Sequence, residues 1–199
     1  MYLYYFKDGC DGLLGLSFLE CLNLVEFDFQ KKVLFFDPFF LSNQPSSSSS
    51  SILLSPIKKS CYDEISIKKL CTGLLVADCN INENSEKCTG LIDLGSTYTI
   101  FNGKAVEITK QKLEELPTTS VTVVGIDNNP INMRKFDIES IKIGDNHLVK
   151  SSSCYAANMA GFNSLGFGTM PSLIIGMDLL GNEKMMLDAK RNKLYLQKT

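Results

Sequence analysis

Histidine occurs once in the 199 residues, at position 147. A single imidazole leaves a mixed Cys/His metal site with little to draw on. The turn-like surroundings "GDNHL" suit a solvated His147 better than a catalytic base. Cysteine is not scarce, with seven residues at 10, 21, 61, 71, 79, 88 and 154. The count is odd, however, and no two of them stand at the short gap that zinc knuckles use. Reduced, mostly buried thiols are expected, with no metal and no cofactor. Cys154 has no charged neighbour in sequence to lower its pKa, which argues against a thiol nucleophile. Long apolar runs are missing as well: nothing approaches the roughly 18 residues of a membrane span. The start, "MYLYYFKDGCDG", has too short an apolar patch for a signal peptide and no basic flank. Basic residues never run beyond two in a row, and the net charge is -2. That balance gives no electrostatic case for nucleic acid or for an acidic membrane surface. These absences leave a soluble, intracellular protein in a reducing compartment.

What is present is apolar enough to pack. Hydrophobic residues make up 44% of the chain, which permits a core and excludes global disorder. The clearest boundary is "SNQPSSSSSS", residues 42–51, where Pro45 and six consecutive serines read as a flexible connector. It leaves residues 1–41, too short to hold a core alone, and the larger piece 52–199. An internal comparison links the two. "LLGLSFL" (13–19) is similar to "IIGMDLL" (174–180), and "FDFQKKVLFF" (27–36) to "LDAKRNKLYL" (187–196). Gly15 matches Gly176 and Leu19 matches Leu180 at an offset of 161, whereas Asp28 matches Asp188 and Leu34 matches Leu194 at 160. A short helix start followed by two strands around an Asp-containing turn therefore occurs twice in the same order. Duplication explains this better than chance similarity of short apolar runs.

The larger piece reads mostly as strand. "ISIKKL", "TGLLVADCNI", "CTGLIDL", "YTIFNG", "SVTVVGI", "FDIESIKIGD" and "KLYLQ" are short, rich in Ile, Val and Leu, and bounded by Gly, Asn or Asp. "GKAVEITKQKLEEL" (103–116) has a helical pattern ended by Pro117, and "GMDLLG" suits a short helix stopped by Gly181. The stretch "SSSCYAANMAGFNSLGFGTM" (151–170) reads as an irregular loop. Many short strands with one or two brief helices point to an all-β fold, a small closed barrel.

One stretch carries chemistry. In "GLIDLGSTYTIF" (90–101) a strand of Leu and Ile ends on Asp93, with Gly95 and Ser96 just beyond. A glycine two positions after the carboxylate lets the chain turn tightly and aim its N–H at a carboxylate oxygen. The Ser96 hydroxyl could donate to the outer oxygen. Taken alone, an ordinary Asp-Gly turn accounts for the same residues. With "LIIGMDLL" about eighty residues later, the pattern resembles the retropepsin-like aspartic proteases. Their lobe has an apolar-apolar-Asp-Thr/Ser-Gly loop and, near its end, an apolar-apolar-Gly segment that opens a short helix.

The resemblance implies a complete retropepsin-like lobe over residues 52–199, with the motifs spanning 65–197. It makes residues 1–41 the C-terminal part of a preceding, similar lobe. The implied activity is that of an aspartic endopeptidase, acting on a peptide or protein substrate through a water activated between two aspartates. Asp93 is one of them, with Gly95 and Ser96 in its loop. Two carboxyl groups about 3 Å apart cannot both ionise, so they share a proton and supply acid and base at once. The resemblance also implies a covering hairpin, which "VTVVGIDNNPINMRKF" (121–136) fits, with Gly125, Ile126, Asp127 and Asn128 at its turn. Asp178, Asp28 and Asp188 read as structural polar residues of a helix start and of two matching turns.

Two features depart from the family pattern. Leu94 stands where the family has Thr or Ser, whose hydroxyl ties the two lobes together. No second Asp-x-Gly-Ser occurs in residues 1–41. The second carboxylate is then expected either from a front lobe, about 68 positions before Met1, or from a second copy of residues 52–199 paired by two-fold symmetry. The alternative is a catalytically inactive retropepsin-like module that binds or dimerises.

Overall fold

The structure is a computed structural model and describes residues 16–22, 24–36, 61–82, 86–124, 130–181 and 184–198. The serine connector 42–51 and the residues before 16 lie outside the described residues. Strands dominate, with a few short helices, as the alternating apolar pattern led us to expect. Among the described residues no helix is long and apolar enough to cross a membrane.

A first group of strands closes on itself. It comprises β5 (Leu75–Ile81), β6 (Lys87–Ile92), β7 (Ile100–Phe101), β9 (Pro130–Ile143), β10 (His147–Ala156) and β11 (Ser172–Ile175). Hydrogen-bonded pairing runs β5-β6-β11-β7-β10-β9, and β9 also pairs with β5, so the ring has no open edge. Two strands are appended, β4 (Lys68–Lys69) on β5 and β8 (Thr118–Val124) on β9. The buried side of the ring is apolar: Phe101, Leu173, Ile175, Cys79, Ile141 and Ile143 are fully shielded. Each large aliphatic or aromatic side chain there contributes about 1.5–3 kcal/mol by leaving water. Phe101 and Phe136 meet edge to face at 5.0 Å, a favoured ring geometry.

A second sheet has the order β2-β1-β12-β13-β3, all antiparallel. Its strands are β1 (Val25–Asp28), β2 (Val33–Phe36), β3 (Tyr62–Ser66), β12 (Lys184–Asp188) and β13 (Lys193–Gln197). One face carries Val25, Ile65, Met185, Leu187, Leu194 and Leu196, which join the main core. The repeat seen in the sequence has the same local structure twice. α1 (Leu16–Leu19) precedes the β1–β2 hairpin as α4 (Met177–Leu180) precedes the β12–β13 hairpin. In the first turn Asp28 Oδ1 accepts the Lys31 N–H at 2.9 Å, and in the second Asp188 Oδ1 accepts the Arg191 N–H at 2.9 Å. Lys32 and Asn192 both take the left-handed conformation, at φ 55° and 54°. The Lys31 N–H, with Lys184 beside it, holds the Asp28 carboxyl below its ordinary range.

Two stretches differ from the sequence reading. The expected helix over 103–116 is only α2 (Gly103–Ile108), followed by a 3-10 turn at Leu113–Glu115. Lys110, at φ 62°, breaks the helical path. The expected irregular loop 151–170 is strand through Ala156, then α3 (Ala160–Ser164). Serine-rich sequence is a weak strand former, but here β9 supplies partners, Ser152 opposite Ile138 and Cys154 opposite Phe136.

Gly90 shows how tightly the ring is filled, since a Cβ there would fall 2.5 Å from Ile175 Cδ1 and 2.7 Å from Cys79 Sγ. Gly161, on α3, faces open space. Gly90→Ala is therefore expected to lower unfolding free energy by about 1–3 kcal/mol. Gly161→Ala should leave it unchanged or raise it by up to about 1 kcal/mol. Urea unfolding of the two variants checks the contrast, and equal stability would refute the close packing at Gly90.

Candidate active site

β6 delivers Asp93 at its end, and the chain returns through residues 94–99 to β7. Between these two strands lies β11, parallel to β6 and antiparallel to β7. That insertion brings the two sequence motifs together: the Asp93 N–H donates to Ile175 O at 3.1 Å, immediately before Gly176.

Gly176 lies flat against the returning loop. A Cβ there would sit 2.5 Å from both Tyr98 C and Tyr98 O, and 2.9 Å from Ser96 O. These are backbone atoms that cannot give way, so only glycine fits. The first turn of α4 is then stitched to the loop. Met177 N–H donates to Ser96 O at 2.8 Å, and Asp178 N–H donates to Thr97 O at 3.2 Å. The Asp178 carboxylate accepts the Thr99 N–H at 2.8 Å and the Thr99 hydroxyl at 2.6 Å. That hydroxyl also accepts the Gly176 N–H at 3.1 Å. Asp178, read from sequence as a helix-start polar residue, thus braces the aspartate loop. Its partner lies 79 residues away, so no local pattern could have revealed the contact.

Around Asp93 the geometry keeps part of the expectation and changes part. Gly95 N–H donates to Asp93 Oδ1 at 2.9 Å, as expected. Glycine serves there by close approach, a Cβ lying 3.2 Å from that oxygen, and not by a left-handed φ. The Ser96 hydroxyl, expected on the carboxylate, donates to Tyr98 O at 2.8 Å instead. It shapes the loop and leaves the carboxylate to others. Asp93 itself is half-buried, and Leu94 packs against the main core. The Tyr98 ring meets Tyr155 of β10 at 4.8 Å, which closes the other side of the loop.

The hairpin expected at 121–136 is present as β8 and β9, with Thr122 opposite Asn132 and Val124 opposite Pro130. Its turn, with Gly125, Ile126, Asp127 and Asn128, lies outside the described residues. His147 is buried rather than solvated, its Nδ1 3.1 Å from Asp63 Oδ2, because the turn before β10 packs onto β3. Cys79, Cys88 and Cys154 are buried thiols, whereas Cys21, Cys61 and Cys71 are exposed, contrary to the expectation of mostly buried ones. Short strand ends and turns place those three at the surface. Burial pushes the Cys79 thiol up to about 12 and raises Cys88 as well, so neither is a nucleophile at neutral pH. Among the described residues no cluster of His, Cys, Asp and Glu is placed to hold a metal ion. A shallow cavity of about 270 Å³ between α2 and α3 is lined by Asn102, Lys104, Glu107, Asn158 and Phe162, and Asp93 is not part of it. Asn102 is spent on structure, accepting from Ala105 and Ser172 N–H and donating to Phe167 and Met170 O.

No protein-family model matches the sequence, and no curated protein matches it. Solved structures do. The chain is similar to a retropepsin-like aspartic protease from Rickettsia conorii, with 16% identity over 69% of this chain and 92% of that one, at a TM-score of 0.48. It is also similar to the retroviral protease-like domain of Ddi1 from Leishmania major. There the identity is 21%, over 62% of this chain and 87% of that one, at a TM-score of 0.42.

Thr99→Val keeps the side-chain shape but removes the hydroxyl from between Asp178 and the Gly176 N–H. It is expected to cost about 1–3 kcal/mol, because the buried Gly176 N–H and the half-buried Asp178 carboxylate each lose a bond. Denaturant unfolding measures the loss, and a variant as stable as the parent would remove the bracing role.

Proposed function

We propose that this chain is one lobe of an aspartic-type endopeptidase, with Asp93 as one of two carboxyl groups that activate a water for attack on a peptide bond. The observation that carries this reading is the insertion of β11 between β6 and β7, with Gly176 pressed onto the loop that Asp93 opens. A loop braced in this way has little freedom, and catalysis by proton transfer needs a carboxylate held within a fraction of an ångström. In this reading Gly95 keeps the carboxylate oriented through its N–H, and Ser96 holds the loop's shape. The hairpin turn at 125–128 covers an extended peptide, which is gripped through its backbone. Residues 52–199 form the lobe, and residues 1–41 belong to a preceding one, joined by the connector 42–51. The partner carboxyl arrives on a second lobe, either from a front half or from a second copy. No cofactor enters the reaction, and neither nucleic acid nor membrane is a partner. The protein works as a soluble, intracellular enzyme.

A second reading rests on Leu94. Where the family has a hydroxyl that links the lobes, this chain has an apolar side chain packed on the core. A lobe without that link can persist as an inactive module for binding or dimerisation.

Asp93→Asn is expected to reduce peptide cleavage by at least about 100-fold while leaving the melting temperature unchanged. The assay is cleavage of a peptide library from pH 3 to 7 by a preparation that contains the paired lobe. Cleavage that survives the substitution would eliminate Asp93 as a catalytic residue. Cleavage that is absent from both forms across that range would establish the inactive module.

A further inference from the structure

The two copies of the repeat do more than share a shape, because they face each other across a local two-fold axis. β1 pairs with β12 so that Glu26 opposes Met186, Val25 opposes Leu187 and Phe27 opposes Met185. At the repeat offset of 160, Met186 is the counterpart of Glu26, Leu187 of Phe27 and Met185 of Val25. Glu26 therefore meets its own counterpart, and the flanking pairs exchange roles. That is the pattern of an isologous interface, in which residue i meets j and j meets i. Here it is built within one chain.

Two copies of the larger lobe related in the same way would pair β12 with β12, Met186 against Met186. The edge they would need is filled. β12 is hydrogen-bonded to β13 on one side and to β1 on the other. The occupant is well held: Val25 and Leu19 are buried in the main core, and Phe27 and Leu34 pack against it. Lys184 of β12 lies 3.2 Å from both Glu26 and Asp28 of β1. Being part of the same chain, the hairpin acts at an effective concentration on the order of millimolar, which a second copy at micromolar concentration cannot match.

We infer that α1 and the β1–β2 hairpin occupy the two-fold surface of this lobe and exclude self-pairing through β12. The partner lobe is one that shares the hairpin, and a second copy of this chain does not fill its place. This rests on the reading of Asp93 as half of a carboxyl pair, and it chooses between the two sources of the other half. The far edge of β2 has no partner strand among the described residues, whereas its counterpart β13 is paired there by β3. Val33 and Phe35 on that edge strand are 40% and 39% exposed. A lobe continuous with the hairpin would lay its equivalent of β3 along this edge and shield both side chains.

The test uses the full chain with Cys10, Cys21, Cys61 and Cys71 changed to Ser, and glutathione disulfide as the oxidant. Directly opposed residues of an antiparallel pair have Cα atoms about 4.5–5.5 Å apart, within reach of a disulfide. Glu26→Cys with Met186→Cys is expected to give a bond between positions 26 and 186 within one chain, seen as a monomer on a non-reducing gel and by peptide mapping. Met186→Cys alone is expected to give no more covalent dimer than the parent. A dimer linked 186 to 186, or a 26-to-186 bond between chains, would overturn the inference. So would a folded double variant that forms no bond. Phe27→Cys with Met185→Cys supplies an independent pair on the same strands should the first fail to fold. The readout involves no cleavage, so it stands or falls separately from the role of Asp93.

Discussion

The contact on which the molecule depends is backbone against backbone: Gly176 lying on the Ser96–Tyr98 stretch with no room for a Cβ. For that contact to exist, β11 must run between β6 and β7, which requires a chain crossing of roughly eighty residues. The intervening residues make that crossing by building the rest of the ring, through β9 and β10. The ring closes where β9 meets β5, so the two motifs are fixed relative to each other by strands on every side. An aspartate at a strand end is common. One whose loop is clamped by a neighbouring helix start through five hydrogen bonds has been placed there by the whole fold.

The second sheet solves a different problem. An isolated hairpin of the size of β1–β2 has too little apolar surface to persist alone. Laid on β12, it turns Val25, Phe27 and Leu34 toward the same core that β12, β13 and β3 cover. The symmetric register follows from the repeat, because two similar hairpins with the same apolar alternation pair best when each presents its inner face in the same way. The symmetry is not complete. Glu26 and Met186 differ in kind, and Lys184, which reaches Glu26 and Asp28, has no basic counterpart in the first copy, where Leu24 stands. These asymmetries favour the unlike pair over two like ones, since two Met186-bearing strands would lack the Lys184–Glu26 attraction.

Much of this was legible in the sequence where local rules decide. Strand alternation in "LVADCNI" and "KLYLQ", the Gly181 stop of α4, and the two Asp-containing turns follow from period, cap and turn chemistry, and all appear in the structure. The Gly95 N–H bond to Asp93 was legible because a glycine two positions after a carboxylate can aim its N–H at a carboxylate oxygen. What was not legible depends on distant partners. The strand through Ser151–Ala156 exists because β9 offers it a register, which overrides weak propensity. His147 is buried because Asp63, 84 residues away, meets it. Ser96 turns to Tyr98 O because α4 already fixes the loop on its other side.

Leu94, packed on the main core, lies next to that bracing in sequence. In the reading proposed above a hydroxyl at this position would link one lobe to its partner, but the bonds that hold the Asp93 loop come from Thr99, Asp178 and the start of α4. Replacing the hydroxyl by an apolar side chain that packs on the core leaves those bonds intact and adds buried surface. The bonds that brace the loop are therefore indifferent to the change, and in the reading proposed above it is the alignment between two carboxyl groups that is exposed to it. If two lobes pair as proposed, the effect of Leu94 falls on the alignment of their carboxyl groups, on which rate depends, and leaves the bracing of this loop untouched.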